Sequence, residues 1–200
     1  GFIGKVGADA FGELLQTTLK KHNVDTTYFT ADKNAPTMLA VVAIPNPNEQ
    51  QFVLYNGANE LLDVASLPTA YIEGADVFIY GSVSLATQSR DAALKAAQLA
   101  RSANHHVIFD VNLRPALWHN LEEARTQIEA ALATATIVKV NEVELEFLTG
   151  TRDVEKGSQN LLTRGAELCC VSLGKDGAFF SNGKVTGHVP AFYVRVKSTV

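Results

Sequence analysis

Val107-Ile108-Phe109-Asp110-Val111-Asn112-Leu113-Arg114 is a short apolar run that turns polar only towards its end. An Ala/Leu-rich helical pattern, Ser89 to Ala103, precedes it, and a second, Leu121 to Ala133, follows. Continuous apolar runs of this length, separated by helices, belong to parallel strands covered by helices. The alternation extends outward in both directions. Val77-Phe78-Ile79-Tyr80, Ile137-Val138-Lys139-Val140 and Leu168 to Leu173 read as further strands. Glu142 to Leu148 and Ser158 to Arg164 read as helices. The expected fold class is α/β, a doubly wound, mostly parallel sheet with helices on both faces.

Both ends of the chain differ from this middle. Asp9 to His22 reads as a helix capped by Asp9, with Phe11, Leu14, Leu15, Thr18 and Leu19 on one stripe. Met38 to Ile44 and Gln51 to Tyr55 flank the turn Pro45-Asn46-Pro47-Asn48, which predicts a β-hairpin. Alone in water such a hairpin is marginal, so it needs a partner surface. Ala178-Phe179-Phe180, Lys184 to Val189 and Phe192 to Val196 predict a more antiparallel tail, with Asn182-Gly183 as a turn. The expected division is residues 1–27 and 58–200 as the α/β core and 28–57 as a β lid.

The chain of 200 residues is 46% hydrophobic and 19% charged, with a net charge of −4. It is too apolar for disorder. The mild acidity argues against a nucleic-acid or membrane partner, which would want clustered Lys and Arg. No stretch of about 18 apolar residues is present to span a bilayer. Cys169 and Cys170 are adjacent, so in a strand they point to opposite faces and cannot pair with each other. They read as core residues of a reduced, cytoplasmic protein.

In an open parallel sheet, ligands bind beyond the carboxyl ends of the strands. Four such ends carry small or polar residues: Gly81-Ser82, Asp110 to Arg114, Asn141 with Glu144, and Ser172 with Gly174 and Gly177. Each supports two readings. Asp110, Asn112 and Arg114 alternate along an extended chain, and an Arg fork there suits a phosphate. Equally, Asp110 and Arg114 could pair across an Asn turn. Asn141 and Glu144 have the spacing of a capping box. They also suit phosphate oxygens and a hydrated Mg²⁺. Lys139 is either a solvated charge or a phosphate contact. Ser172 to Gly177 is either a backbone nest for an anion or a plain hairpin. There is no G-x-G-x-x-G between strand and helix and no G-x-x-x-x-G-K-[ST]. Histidines 22, 105, 106, 119 and 188 lack metal-ligand or triad spacing.

Taken in order, these segments resemble the ribokinase-like (pfkB) carbohydrate kinases, most closely the fructokinases. Phe2-Ile3-Gly4-Lys5-Val6-Gly7-Ala8-Asp9-Ala10-Phe11-Gly12 resembles the family's opening FIGKVGxDxFG. Gly57-Ala58-Asn59 resembles the segment that follows its lid strand, and Gly81 to Leu85 its GSISL. Asp110 to Pro115 with Trp118, Lys139 to Glu144 with Leu148-Thr149-Gly150, and Ser172 to Ala178 resemble three further motifs. The resemblance implies ATP-dependent phosphorylation of a sugar hydroxyl, with fructose as the expected acceptor, ATP and Mg²⁺ as cofactors and room for a monovalent cation. It implies that Arg114 contacts the sugar or the transferring phosphoryl group, beside Asp110 and Asn112. Tyr55 would contact the sugar from the lid. Lys139, Asn141 and Glu144 would organise the ATP phosphates, Glu144 reaching Mg²⁺ through water. Ser172, Gly174 and Gly177 would line the nucleotide site, and the lid could pair two subunits into a homodimer. The competing readings are a non-catalytic sugar- or nucleotide-binding domain, an α/β sugar receptor outside the cytosol, and a kinase for a nucleoside or a 2-keto-3-deoxy sugar acid. In the family the general base is the Asp of a Gly-Ala-Gly-Asp segment, which would follow Ser198-Thr199-Val200. No residue here takes that role, so the 200 residues read as a fragment truncated at both ends, inactive by itself.

Overall fold

The computed structural model describes residues 1–46 and 49–194. Its centre is a six-stranded sheet of β5 (Val77–Gly81), β6 (His106–Asp110), β7 (Ile137–Asn141), β8 (Leu168–Ser172), β9 (Ala178–Ser181) and β10 (Thr186–Val189). β5 to β8 are parallel neighbours in chain order, while β9 and β10 add antiparallel strands at one edge. This is the mixed α/β architecture with a mostly parallel central sheet that the sequence predicts.

Helices carry the chain between the parallel strands: α3 (Ser82–Leu85) and α4 (Arg90–Ser102), α5 (Leu121–Leu132), then α6 (Glu142–Thr149) and α7 (Val154–Thr163). In α4 the buried positions are Ala92, Ala93, Ala96, Ala97 and Ala100, a helical stripe of small residues that lets the backbone lie close to the strands. All of these but Ala92 join Val107, Phe109, Val138, Val140, Cys169 and Val171 in one core cluster. The strand residues between these belong to the sheet's other face. There Ile79, Ile108, Ile137 and Leu168 stand in register across four strands. Ile79 is 65% exposed and the other three are half-buried.

Two smaller sheets precede the central one. β1 (Gly4–Gly7) pairs in parallel with β2 (Phe29–Asp32), and β3 (Leu39–Asn46) pairs with β4 (Glu49–Tyr55) as a hairpin. Residues 29–32, grouped with the lid by sequence, thus pair with β1, and the hairpin itself starts at Leu39. Turn positions 47 and 48 lie outside the described residues. α1 (Ala10–Lys21) packs on β1, and α2 (Thr69–Glu73) is a single short turn before β5.

Two local expectations are corrected, at α7 and at Phe192. In α1, Phe11, Leu14 and Leu15 of the stripe are exposed, and Gly12 is the buried position. The helix meets β1 through that glycine, where a Cβ would collide with the Gly7 carbonyl oxygen. α7 starts four residues before the predicted Ser158, because the Asp153 carboxylate accepts the N–H groups of Glu155 and Lys156, both at 3.1 Å. The strand predicted from Phe192 is absent over residues 192–194, and 195–200 lie outside the described residues.

Cys169 is buried and Cys170 half-buried, both free, on opposite faces of β8. Burial pushes the Cys169 thiol up to about 11 and raises Cys170 as well.

Phe109 is fully buried at the centre of the sheet. Phe109→Ala is expected to destabilise the fold by about 3–5 kcal/mol, read as a lower urea midpoint at unchanged m-value. A midpoint within error of the wild type would show that the core does not centre on β6.

Candidate active site

The parallel register sets the carboxyl ends of four strands along one rim. Gly81 lies opposite Asp110, Asp110 opposite Lys139, and Asn141 opposite Ser172. These are the strand ends that carry the polar residues singled out from sequence.

β6 and β7 are tied together where they leave the sheet. Lys139 Nζ lies 3.0 Å from Asp110 Oδ1. That oxygen is shielded from solvent yet lacks an aligned hydrogen bond, so charge rather than a directed bond holds the pair. Both side chains are near 40% exposed, which limits the pair to about 1 kcal/mol at most. Asp110 therefore pairs with Lys139 and not with Arg114, correcting one of the two sequence readings. The Val111 N–H donates to the Lys139 carbonyl at 3.0 Å. Strand alternation then ends, because Asn112 adopts φ +35°, a left-handed conformation uncommon outside glycine. A face shared by residues 110, 112 and 114 thus cannot be read from alternation. The Ser82 hydroxyl donates to the Asn112 carbonyl at 3.3 Å.

Asn141 and Glu144 form the capping box of α6. The Glu144 N–H donates to Asn141 Oδ1 and the Asn141 N–H to Glu144 Oε2, each at 2.9 Å. Glu144 is only 3% exposed, and its second oxygen, Oε1, accepts the Leu113 N–H at 2.9 Å. Arg114 is exposed, and its hydrogen bond is to the adjacent Leu113 carbonyl at 3.3 Å. The Ser172 hydroxyl donates to the Val140 carbonyl at 3.3 Å. Gly174 to Asp176 form a 3₁₀ turn joining β8 to the antiparallel β9, so the hairpin geometry is present. Gly177 has φ +94°, and a Cβ there would strike the Val189 carbonyl oxygen, so only glycine closes this loop against residues 189–191. Tyr55 ends β4, opposite Leu39, and is 60% exposed.

The whole chain, residues 1–200, matches the model of the pfkB family of carbohydrate kinases. This chain belongs to that family. A fructokinase-1 of Zea mays is 41% identical over 99% of the chain and 62% of its own length. A fructokinase of Xylella fastidiosa with bound ATP superposes with a TM-score of 0.88 at 29% identity, over 98% of this chain and 62% of that one. A Vibrio cholerae fructokinase bound to fructose, ADP and calcium gives 0.84 at 29% identity, over 97% and 63%. The chain spans about three fifths of the length of the relatives it matches.

In this pfkB-family chain the structure also exposes a polar node that sequence reading missed, beneath the hairpin. Asp9 caps α1 by accepting the Gly12 N–H at 2.9 Å. The same carboxylate accepts the Thr37 N–H at 2.8 Å and the Thr37 hydroxyl at 2.7 Å. Thr37 Oγ1 in turn accepts the Gly7 N–H at 3.0 Å. One residue away, the Ala58 N–H donates to the Pro36 carbonyl at 2.8 Å. Both roots of the hairpin are thereby fixed to β1 and α1. Cavities of about 410 and 350 Å³ lie beside β1, the first lined by Asp9, Gly12 and Gln16, the second by Lys5, Thr37 and Ser84. Neither is lined by a rim residue from 110 to 177. Among the described residues there is no cluster of His, Cys, Asp and Glu fit to hold a metal, and no helix long and apolar enough to cross a membrane.

Two predictions concern these contacts. Gly177→Ala is expected to cost about 1–3 kcal/mol or more from backbone strain and to loosen loop 173–177, read by urea unfolding and by faster amide exchange at Leu173. The hydrogen bonds from Thr37 and Gly12 hold the Asp9 carboxyl below its ordinary value of 3.8. A lowered folded-state pKa contributes stability above the unfolded value, and that contribution is lost as pH falls through the folded one. The Tm difference between wild type and Asp9→Asn should therefore be largest near neutrality and shrink below 3.8. A pH-independent difference would assign the effect to something other than ionisation.

Proposed function

We propose that the protein is an ATP-dependent sugar kinase whose acceptor is fructose. The observation that carries this is the rim itself. Asp110, Asn112, Arg114, Lys139, Asn141, Glu144 and Ser172 sit on adjacent parallel strand ends, in a chain similar along nearly all its length to fructokinases. Fructose and ADP occupy one of those relatives, and ATP another.

Phosphoryl transfer asks a protein mainly for positioning and for cations around the moving charge. Arg114 supplies the cation: its fork is exposed, uncommitted to any carboxylate among the described residues, and shaped for a phosphoryl group. Asn112 and Asp110 border the sugar, and Tyr55 contacts it from the hairpin. Ser172, Gly174 and Gly177 line the nucleotide, with Lys139 and Asn141 on its phosphates. The donor set is suited to Mg²⁺ in one way only. Asn141 Oδ1 and both Glu144 oxygens already accept backbone N–H groups, so they meet a hydrated ion through water, a mode Mg²⁺ favours. When bound, Mg²⁺ would neutralise charge on the ATP phosphates. The reading also places the protein in the cytoplasm and gives the hairpin a second copy of itself as partner.

The test is ADP release by the intact protein with ATP and Mg²⁺, over a panel of fructose, ribose, a nucleoside and a 2-keto-3-deoxy sugar acid. Fructose should give the highest kcat/KM. Arg114→Ala should lower that value on the order of 100-fold or more while leaving Tm within error. A higher kcat/KM on the nucleoside or the sugar acid would replace fructose as acceptor. An Arg114→Ala enzyme with wild-type kinetics would remove Arg114 from the site.

A further inference from the structure

We propose that Glu144 is a positioning residue: through Leu113 it sets the loop that presents Asn112 and Arg114, so that the nucleotide-side helix and the sugar-side loop are held as one body. This rests on the kinase reading above.

A capping box needs one carboxylate oxygen, and Glu144 Oε2 fills that role on Asn141. The other oxygen crosses to a different element and accepts the N–H of Leu113, 31 residues earlier in the chain. Capping residues on exposed helix ends are solvated, whereas Glu144 is 3% exposed. Burying a carboxylate is costly unless each oxygen finds a donor, and these two N–H groups are what make the burial affordable. The loop receives three ties in succession. Val111 is held by the Lys139 carbonyl, Asn112 by the Ser82 hydroxyl and Leu113 by Glu144. The next residue, Arg114, bonds to the Leu113 carbonyl. Its direction is therefore inherited from the Leu113 peptide. Asn112 at φ +35° makes the tie consequential, because a strained peptide relaxes once its neighbour is released.

Glu144→Gln tests this in the intact protein. Glutamine offers one acceptor oxygen where two N–H groups need one each. Amide exchange at Leu113, measured against Val111 as internal reference, should accelerate about tenfold, the size expected for losing a hydrogen bond to a charged group. At saturating ATP and Mg²⁺ the fructose KM should rise by about the same factor, and by more than the ATP KM measured at saturating fructose rises. Glu144→Asp, too short to bridge both partners, should behave the same way and serves if the Gln variant fails to fold. Unchanged Leu113 exchange overturns the proposal. So does accelerated exchange with an unchanged fructose KM in an active enzyme. If the wild type does not phosphorylate fructose, the functional reading falls by itself, and the exchange ratio alone decides whether Glu144 sets the loop.

Discussion

The ladder that pairs Gly81 with Asp110, Asp110 with Lys139 and Asn141 with Ser172 fixes where the candidate groups of the rim lie. Parallel strands in register end on the same side, so the residues that follow them are delivered to one rim however far apart they lie in sequence. The helices between the strands bury one face of the sheet and hold the register in place. Without it, Asp110 and Lys139 would have no reason to meet.

The rim is not left to the loops. Each exit is bonded to its neighbour within a few residues of the last strand position: Ser82 to Asn112, Val111 to Lys139, Glu144 to Leu113, Ser172 to Val140. Most of these use a backbone group on one side, so they constrain chain path more than side-chain identity. The hairpin root follows the same logic at a different place. One carboxylate, Asp9, satisfies a helix terminus and both polar groups of a buried threonine. In both nodes a single acidic side chain joins elements that the sheet itself does not connect.

The strands and long helices of the centre were legible because their apolar periods are long and unbroken. The rim residues were legible because they sit at strand ends, a position that sequence alone can locate. β1 and β2 were not, being four residues each, and β1 begins and ends in glycine, which erases the alternation. The exposure of Phe11, Leu14 and Leu15 was invisible because amphipathicity reports a stripe, not what covers it. The partner of Asp110 stays open in the sequence for a related reason. Pairing within one segment is easy to imagine from sequence, while pairing across strands depends on register. The second oxygen of Glu144 and the Asp9–Thr37 bond join residues about 30 positions apart, and no local pattern announces them.

The two cysteines of β8 carry a consequence of a different kind. A thiol with a pKa of about 11 is ionised in roughly one molecule in ten thousand at neutral pH. Only the thiolate reacts readily with peroxides, disulfides or alkylating agents. Cys169, buried at the heart of the sheet and held as the thiol, is thus a poor target for such reagents, and its half-buried neighbour Cys170 is the more accessible of the two.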